Sequence, residues 1–560
     1  MTTGKVVCNA LIDVAVAHGM SDIIASPGSR NAPLLLAARA NKDVRLRMVI
    51  DERSAAFIAL GMAATSRKPV GLICTSGTAL LNYAPAVAEA FYRGIPLIVM
   101  SADRPMQWID QDDSQTLRQF EALANFVKNS YDLPETDSAD RQMTWYANRV
   151  ANDAMITALR GRPGPVHINV QLDIPLGILA SAKPRQRIIT LTEGSDRLAE
   201  NDVRELASEI AESRVLIVAG FMPPDNKLTK ALKLMALLPN VFILAETPAN
   251  IHVAEACSII DSLLVSLSED EKKAMRPDVV ITLGGALVSR FLKTYLRDNP
   301  HARHWMIGHA HTTVDCFCSL TRRIEADPAP LLHRLAVILS HNAPTGEYAA
   351  KWRVLQRRAE SRHDDFMETI PWSDLKAFAM LLPLLPEGTN LHLSNGTPIR
   401  YAQLFRTPWL HAVYCNRGVS GIDGCTSTAI GSSVSFPGLT VLISGDMSFS
   451  YDIGALASSH IPDRFKAVVI SNRGGDIFRF IGSTSNLPAE QREELFCVAP
   501  NLPLRKLAEA YGFRYFCAAS GNELETTAKE FIVCRQKSIL EINTPAEMNS
   551  DVLKQYMNMK

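Results

Sequence analysis

Short β-rich runs alternate with helical segments along nearly the whole chain, and this alternation constrains the fold more than any other feature. It predicts parallel α/β sheets with helices on both faces. The runs in the first third are apolar on both faces, as expected of central strands that are covered on each side. The predicted strands are DIIASP (22–27), VGLICTS (70–76), PLIVMSA (96–102), RVLIVAG (214–220), VFILAE (241–246), DVVITLGG (278–285), NLHLSN (390–395), TVLISGD (440–446), FKAVVISN (465–472) and KSILEIN (537–543).

The length of the chain predicts several domains. A sequence of 560 residues is too long for one hydrophobic core and should divide into about three or four domains. The polar segment from Ala182 to Asp202 is expected to be a linker. The charged, partly helical segment from His341 to Asp365 separates a second α/β stretch from a third. We therefore expect three doubly wound α/β units.

Composition argues against several classes of partner. Lys plus Arg (58) equals Asp plus Glu (58), so the charge balance gives no reason to expect a nucleic acid or an anionic membrane. No uninterrupted apolar stretch reaches the ~18 residues that a membrane span requires. The N-terminal MTTGKVVCNALIDVAVAHG predicts a short amphipathic helix rather than a signal peptide. The ten scattered cysteines indicate reduced thiols, and we expect a cytoplasmic protein.

The segment 440–478 is the most informative about function. One predicted strand ends at Asp446 and the next at Asn472, and the 24 residues between Met447 and Asn472 are enough for a helix that returns to a parallel strand. Both polar residues then lie at carboxyl ends of strands, where open α/β sheets bind their ligands. A carboxylate, an amide oxygen and a loop carbonyl near Gly474 suit Mg²⁺. The pattern resembles the Gly-Asp-Gly…Asn motif of thiamine-diphosphate enzymes; the alternative is that Asp446 merely caps a helix.

A thiamine cofactor also needs an acidic residue that shares a proton with N1′ of its aminopyrimidine ring. Glu52, in VIDERSAAFIALGMA, ends a strand-like run and begins a predicted helix of small and apolar residues, and it is our candidate. The alternative is that Asp51 or Glu52 merely occupies the first helical turn, where the helix dipole favours an acid.

A third segment, IIASPGSRNAPLLLAA (23–38), contains a Ser- and Gly-rich loop with backbone donors and one arginine. Combined with DERSAAF and the GD…NxGG pattern, it resembles the 2-succinyl-5-enolpyruvyl-6-hydroxy-3-cyclohexene-1-carboxylate synthase (MenD) family of thiamine-diphosphate enzymes. The resemblance covers nearly the whole chain and is weakest between about 190 and 275. Its other motifs are TSGTALLNYAPAVAEAFYRGIPLIVMSADRP (75–105), the region of Gln115, NRGVSGIDG (416–424) and GGDIFRFI (474–481).

The resemblance implies three domains of the thiamine-diphosphate decarboxylase type: a pyrimidine-binding domain over 1–182, a central α/β domain without cofactor over 200–340, and a diphosphate- and magnesium-binding domain over 365–560. It implies thiamine diphosphate with Mg²⁺ or Mn²⁺. It also implies a homodimer or a dimer of dimers with active sites at the subunit interface. Glu52 of one chain would then act on cofactor held by the Asp446 domain of another.

The implied reaction joins 2-oxoglutarate to isochorismate with loss of CO₂, a transferase (carboligase) step of menaquinone biosynthesis. Two other hypotheses stay open. One is a different thiamine-diphosphate 2-oxoacid decarboxylase or carboligase, similar to acetolactate synthase, although small neutral products would not require so many arginines. The other is a non-catalytic binding protein that has kept the fold, although the combination of Glu52, Asp446 and Asn472 argues against it.

The resemblance assigns a role to individual residues, with Glu52 as the catalytic acid. The implied cofactor-binding residues are Glu52, Ile422, Gly445, Asp446, Met447, Ser448, Asn472 and Ile477. The implied metal ligands are Asp446, Asn472 and Gly474. The implied substrate-binding residues are Ser29, Arg30, Arg104, Gln115, Arg290, Arg400, Arg417, Ile477 and Phe478. For each arginine the alternative is a structural ion pair, and for the apolar residues it is plain core packing.

The implied roles divide the arginines between two anionic substrates. Arg400 and Arg417 would hold the succinyl carboxylate, and the remaining arginines with Gln115 would surround isochorismate. Four positions depart from the family pattern. They are Met447 in place of glycine, Arg473 in place of a second asparagine, Gly396 in place of serine and Ser289 in place of lysine.

Overall fold

The computed structural model describes residues 1–135, 140–192, 198–341 and 344–558. The chain forms two compact units, and each is described by itself. The first comprises the described residues of 1–193, 416–440 and 451–465; the second comprises those of 194–415, 441–450 and 466–560.

The N-terminal stretch forms a six-stranded parallel sheet with the strand order β3-β2-β4-β5-β7-β6, and β1 and β8 form a separate antiparallel pair. Its elements are β1 (Thr2–Thr3), α1 (Val6–Ala17), β2 (Asp22–Ala25), α2 (Ala32–Ala40), β3 (Arg45–Met48), α3 (Glu52–Ser66), β4 (Val70–Cys74), α4 (Ala79–Asn82), α5 (Ala84–Arg93), β5 (Leu97–Asp103), β6 (Ser130–Leu133), α6 (Arg141–Leu159), β7 (Val166–Gln171) and β8 (Leu179–Ala180).

The middle stretch forms a five-stranded parallel sheet with the order β10-β9-β11-β12-β13. Its elements are α7 (Glu200–Ile210), β9 (Val215–Ala219), α8 (Asn226–Ala236), β10 (Val241–Ala245), α9 (Ile260–Val265), α10 (Glu269–Ala274), β11 (Val279–Leu283), α11 (Arg290–Asp298), β12 (Arg303–Ile307), β13 (Arg322–Ile324), α12 (Pro328–His341) and α13 (Tyr348–Thr369).

The C-terminal stretch forms a six-stranded sheet with the order β15-β14-β16-β17-β19-β18. Its elements are α14 (Asp374–Leu381), β14 (Asn390–Leu393), α15 (Thr397–Ala402), β15 (Ala412–Cys415), α16 (Cys425–Ser435), β16 (Thr440–Gly445), α17 (Asp446–Tyr451), β17 (Phe465–Ser471), α18 (Gly482–Ser485), α19 (Ala489–Leu495), α20 (Leu504–Ala510), β18 (Arg514–Ala518), α21 (Gly521–Val533), β19 (Ser538–Asn543) and α22 (Ala546–Met557). Short 3₁₀ turns connect several elements; they are Met106–Trp108, Ala124–Phe126, Thr247–Ala249, Leu382–Leu384, Ile453–Ala457 and Asp476–Arg479.

The predicted fold class, parallel α/β sheets, is confirmed, and every predicted strand is a strand in the structure. The three domain ranges 1–182, 200–340 and 365–560 stay a prediction. The expectation of an amphipathic N-terminal helix is wrong, because α1 is buried around most of its surface. Part of the predicted linker, residues 193–197, lies outside the described residues. Among the described residues, no helix combines the length and apolar character needed to cross a bilayer.

Two glycines bring α3 and α16 of the first unit into close contact. A Cβ atom at Gly61 would lie 1.9 Å from the carbonyl oxygen of Thr428, and one at Gly431 would lie 1.9 Å from that of Ile58. Any side chain at either position would therefore force the backbones apart. Because Glu52 begins α3, this crossing fixes the helix that carries it.

Candidate active site

One edge of the first sheet carries most predicted site residues of the first unit. β3, β2, β4 and β5 are parallel neighbours in this order, so their carboxyl ends lie at the same edge. The predicted residues there are Glu52 after β3, Ser29 and Arg30 after β2, and Arg104 after β5. The sheet therefore gathers side chains that are far apart in sequence.

Glu52 is the first residue of α3 and is partly buried. The residue before it, Asp51, is the helix cap: its carboxylate accepts hydrogen bonds from the N–H of Arg53 (3.0 Å) and the hydroxyl of Ser54 (2.7 Å). The Glu52 carboxylate forms no hydrogen bond or ion pair with any other described residue. It therefore remains available to a ligand at this edge.

Arg30 and Arg104 are neighbouring cations. Arg30 is buried, and its guanidinium donates a hydrogen bond to the carbonyl of Leu172 at 2.7 Å. Burial, followed by the charge of Arg104, lowers the pKa of Arg30. Arg104 forms an ion pair with Asp113, so its charge is already partly neutralised. Two adjacent guanidinium groups still provide donors suited to a substrate with several carboxylates.

Gln115 is held against the loop that follows β4. Its Nε2 donates to the carbonyl of Ser76 at 2.7 Å, and the Ser76 hydroxyl donates to the Gln115 carbonyl at 2.9 Å. Gly77 has a φ of 85°, and a Cβ atom there would lie 2.8 Å from the Gln115 side chain. Glycine is therefore required for this contact. Ser29 is exposed on the loop after β2.

The loop 416–424, which carries Arg417, is anchored in the first unit by a buried carboxylate. Glu89, on α5, is 1% exposed and accepts hydrogen bonds from the N–H groups of Gly418 and Val419, both at 2.8 Å. Burial raises the pKa of Glu89. Because Gly418 directly follows Arg417, this anchor fixes the backbone that bears the arginine.

The three predicted apolar contacts are all partly buried, so none is wholly a core residue. Ile422 lies in the first unit, and Ile477 and Phe478 lie in the second. The Phe478 ring packs against Phe496 with ring centroids 5.7 Å apart. Their partial exposure leaves surface for contact with a ligand.

In the second unit, Asp446 and the loop after β17 are directly connected. β16 ends at Gly445 beside β17, and the Asp446 carboxylate accepts hydrogen bonds from the N–H groups of Met447 (2.7 Å) and Gly474 (2.9 Å). Burial raises the pKa of Asp446, although these hydrogen bonds oppose the effect. Ser448 is buried in the first turn of α17.

Three consecutive residues of that loop have left-handed backbone conformations. Their φ angles are 64° at Arg473, 83° at Gly474 and 25° at Gly475. A Cβ atom at Gly474 would lie 2.2 Å from the carbonyl oxygen of Val498, so no other residue fits there. The N–H of Gly475 donates to the sulfur of Met447 at 2.8 Å. Met447 thus forms part of the loop contact at the position where the family motif has glycine.

Asn472 lies at the end of β17, beside the Asp446 contact. Its amide nitrogen donates to the carboxylate of Asp374 at 2.8 Å, and both residues are buried. Asp446 and Asn472 therefore lie at adjacent strand ends, as the sequence predicted, and are joined through the short loop to Gly474.

The electrostatics around Asp446 suit a divalent cation. Asp374, Asp446 and Asp476 are buried carboxylates within electrostatic reach of one another. Among the described residues, only Asp476 of these three has an ion-pair partner, Arg479 at 3.0 Å. Burial, with repulsion from Asp374, raises the pKa of Asp476. In the described part of the chain, no group of three or more His, Cys, Asp or Glu side chains could hold a metal. A site here would therefore use Asp446 together with amide and carbonyl oxygens, a donor set that suits Mg²⁺.

A cavity of about 520 Å³ opens beside Asp446 at the carboxyl ends of β16, β17 and β19. Its lining combines polar strand ends with apolar loop residues. The lining residues are Trp372, Asp446, Ser471, Arg473, Ala499, Pro500, Leu502, Ala519, Glu541, Asn543, Thr544 and Pro545.

The two predicted substrate arginines of the second unit have different surroundings. Arg290 is exposed at the start of α11. Arg400, on α15, lies within electrostatic reach of the buried Asp261, whose carboxylate also accepts a hydrogen bond from the hydroxyl of Ser289. Glu246 accepts hydrogen bonds from two backbone N–H groups of the segment before Arg290, and burial raises its pKa to about 7. A network of buried acids therefore fixes this segment.

Several buried carboxylates that organise these loops were not predicted from the sequence. They are Glu89, Glu246, Asp374, Asp452 and Asp476. Glu89 carried a usable signal, since it is a lone acid within the otherwise small and apolar run APAVAEAF. Asp374 carried no such signal, because an acidic residue directly after Ser373 at the start of a predicted helix is an ordinary first-turn residue.

Comparisons with known proteins agree with this geometry. The family described as "Thiamine pyrophosphate enzyme, N-terminal TPP binding domain" matches residues 5–122. The chain is 42% identical to the 2-succinyl-5-enolpyruvyl-6-hydroxy-3-cyclohexene-1-carboxylate synthase of Porphyromonas gingivalis, over 98% of this chain and 96% of that protein. The proteins of the same name from Christiangramia forsetii and Desulfotalea psychrophila are 35% and 37% identical, over 99% and 92% of this chain and 98% and 94% of theirs.

The fold, the paired strand ends and the matched N-terminal domain define a thiamine-diphosphate-dependent enzyme. Full-length similarity then narrows the class. The chain belongs to the 2-succinyl-5-enolpyruvyl-6-hydroxy-3-cyclohexene-1-carboxylate synthase family.

Proposed function

We propose that the protein joins 2-oxoglutarate to isochorismate with loss of CO₂, giving 2-succinyl-5-enolpyruvyl-6-hydroxy-3-cyclohexene-1-carboxylate for menaquinone biosynthesis. The observation that carries this proposal within the structure is the contact of Asp446 with Gly474 at the end of the strand that bears Asn472. Family membership supports the substrates, because the relatives are named for this product.

The metal ligands of the proposal are the Asp446 carboxylate, the Asn472 amide oxygen and the Gly474 carbonyl, holding Mg²⁺ or Mn²⁺. The buried Asp446 carboxylate, which accepts only backbone hydrogen bonds from the described residues, and the left-handed loop support this assignment. Gly445, Met447 and Ser448 would contact the diphosphate. Thiamine diphosphate, when bound, supplies a carbon nucleophile and an acceptor for the electrons released by decarboxylation.

Glu52 is the proposed acid that shares a proton with the aminopyrimidine ring. Its position at a sheet edge and its carboxylate, uncommitted to any described residue, support this role, since Asp51 already caps the helix. Ile422 and Ile477 would contact the cofactor through their exposed apolar surface, and Phe478 would contact substrate. Each of these side chains orients bound groups and excludes water from the reacting atoms.

The proposed substrate contacts are charge pairs with carboxylates. Arg400 and Arg417 would bind the distal carboxylate of 2-oxoglutarate, and Arg30, Arg104 and Arg290 would bind isochorismate. A guanidinium can bind both oxygens of a carboxylate in its plane, which favours one orientation of each substrate. The neutral donors in the set are Ser29 and Gln115.

We also propose that the enzyme acts as a homodimer or a dimer of dimers, with active sites at the subunit interface and three domains per chain. Family membership supports this assembly. A cytoplasmic location is supported by the ten cysteines, all of which are free thiols.

The test is a product assay with purified protein, thiamine diphosphate and Mg²⁺. We expect the named product to form only when 2-oxoglutarate and isochorismate are both present. Rapid turnover of pyruvate that does not need isochorismate would instead favour an enzyme similar to acetolactate synthase. Asp446→Ala should abolish magnesium-dependent cofactor binding in calorimetry; unchanged binding would refute the proposed metal site.

A further inference from the structure

The amide of Asn472 is held by a buried carboxylate that lies 98 residues earlier in the chain. Asp374 is 0% exposed, and its two oxygens receive different numbers of hydrogen bonds. Oδ2 accepts one, from Asn472 Nδ2 at 2.8 Å. Oδ1 accepts two, from the Thr544 hydroxyl at 2.6 Å and from Asn549 Nδ2 at 3.0 Å.

The Asp374 carboxylate determines which edge of the Asn472 amide faces it. An ionised carboxylate has no hydrogen to donate, so it can bind only the NH₂ edge of Asn472. The amide oxygen must then lie on the opposite edge. That polarity matters for a metal ligand, because an amide oxygen can coordinate a cation, whereas an amide nitrogen presents two hydrogens.

We propose that Asp374 is the positioning residue that orients the oxygen of Asn472 for a divalent cation. The inference rests on the metal site proposed above. Asp374 itself would not touch the metal or the cofactor. Its role resembles that of the outer groups that orient metal-bound histidines, whose removal typically lowers metal affinity about 10- to 100-fold.

The unequal hydrogen bonding predicts what Asp374→Asn would do. The new amide has one oxygen and one NH₂ group. Its oxygen should occupy the position of Oδ1, where it can accept from both Thr544 and Asn549. Its NH₂ would then face Asn472, which must flip to offer its oxygen. The flipped Asn472 would present hydrogens to the metal position, so magnesium-dependent binding should be lost although the shape of the site is unchanged.

Reversing both partners should restore the polarity. In the double variant Asp374→Asn/Asn472→Asp, the new aspartate can accept from the new asparagine with one oxygen and offer the other to the cation. Asn472→Asp alone would instead bring two carboxylates face to face, which disfavours their joint ionisation. We therefore expect both single variants to be impaired and the double variant to recover.

The experiment is calorimetric titration of the full-length protein with thiamine diphosphate, in Mg²⁺ and in chelator, beside thermal unfolding of each variant. We expect Asp374→Asn to lose at least tenfold in magnesium-dependent affinity and the double variant to return to within about threefold of wild type. Asn549→Ala is the matched control, because the change removes a donor from the other oxygen of Asp374 and Asn549 does not line the cavity beside Asp446. It should lower thermal stability and leave the magnesium-dependent affinity within about threefold.

Two results would overturn the inference. One is wild-type magnesium-dependent affinity in Asp374→Asn. The other is a folded double variant that binds no better than Asp374→Asn. A failure of the metal site itself would look different, because wild type and Asp446→Ala would then bind the cofactor equally well with and without Mg²⁺.

Discussion

The anchor formed by Glu89 leads to a quantitative prediction for Glu89→Gln. In the native protein both carboxylate oxygens accept a hydrogen bond, one from the N–H of Gly418 and one from that of Val419, each at 2.8 Å. Glutamine has the same shape but only one acceptor, so one N–H would face an NH₂ group. The ion pair between Arg93 and this carboxylate, at 3.8 Å, would also be lost.

The magnitude follows from these contacts. A hydrogen bond to a charged group contributes about 1.5–3 kcal/mol, so the anchored loop should lose about 2 kcal/mol relative to other conformations. That loss corresponds to about thirtyfold in a population ratio. The apparent affinity for 2-oxoglutarate is proportional to the fraction of molecules in which the loop that carries Arg417 is anchored. The affinity can therefore fall by no more than the population ratio does. We expect the KM for 2-oxoglutarate to rise by up to about thirtyfold and the thermal midpoint to fall.

The assay is steady-state kinetics with 2-oxoglutarate varied at saturating isochorismate, together with thermal unfolding. Asp22→Asn is a matched control in the same unit. Asp22 pairs with Arg45 and Arg47 on the neighbouring strand β3, and neither arginine belongs to the loop 416–424, so we expect an unchanged KM. A KM within about twofold of wild type together with an unchanged thermal midpoint in Glu89→Gln would refute the role of the anchor.

Three further predictions test other parts of the molecule. Glu52→Gln should keep cofactor binding in calorimetry and lower the turnover rate at least a hundredfold, because proton sharing is lost; full turnover would exclude Glu52 as the acid. Burial raises the pKa of Asp452 to about 7, although Ser427 donates two hydrogen bonds to it. Between about pH 4 and 7 the folded state therefore keeps a proton on Asp452 that the unfolded state has lost, so stability should fall as pH rises through this range. Asp452→Asn should therefore gain about 2 kcal/mol relative to wild type between pH 5 and 7 in urea titrations, and parallel pH profiles would contradict this. Gly431→Ala should destabilise the protein by about 1–3 kcal/mol or prevent folding, because its Cβ would lie 1.9 Å from the carbonyl oxygen of Ile58, and an unchanged thermal midpoint would show that the helices can separate freely.

The central strands could be predicted because both of their faces are buried. β9 (VLIVA) and β4 (VGLIC) are fully buried and consist almost entirely of apolar residues, so the pattern is visible in a short window. Two interior strands, β7 (VHINVQ) and β12 (RHWMI), were missed because polar residues interrupt their apolar pattern, and several edge strands were missed because their signal is weaker still. β6 alternates partly exposed and buried residues over only four positions, and β13 is three residues long with two arginines. Such segments become strands because a neighbour supplies their hydrogen bonds, which local sequence does not reveal.

The metal half of the candidate site was more predictable than the residues that support it. Asp446 and Asn472 stand at the ends of two apolar strands, and parallel sheets bring such ends together whatever the loops between them. No such rule predicts which residues Asp374 and Glu89 contact. Asp374 accepts one hydrogen bond from Asn472, 98 positions away, and Glu89 accepts two from residues 329 and 330 positions away. No periodicity or local motif encodes a pairing of that kind.

Two departures from the family pattern have a backbone explanation that the sequence could not supply. Gly396 has φ 97° and ψ −132°, a region that is essentially restricted to glycine, so a serine there would require a different path for the loop before Arg400. Ser289 is fully buried and caps α11 by accepting the N–H of Leu292 at 3.0 Å, whereas a lysine could not accept that bond. At both positions the backbone conformation of this chain requires the residue that is present. Replacing it with the family residue would change the local structure as well as add a hydroxyl or a charge. Under the proposed assignment, recognition of the anionic substrates would then depend on the remaining arginines, above all Arg400 and Arg417.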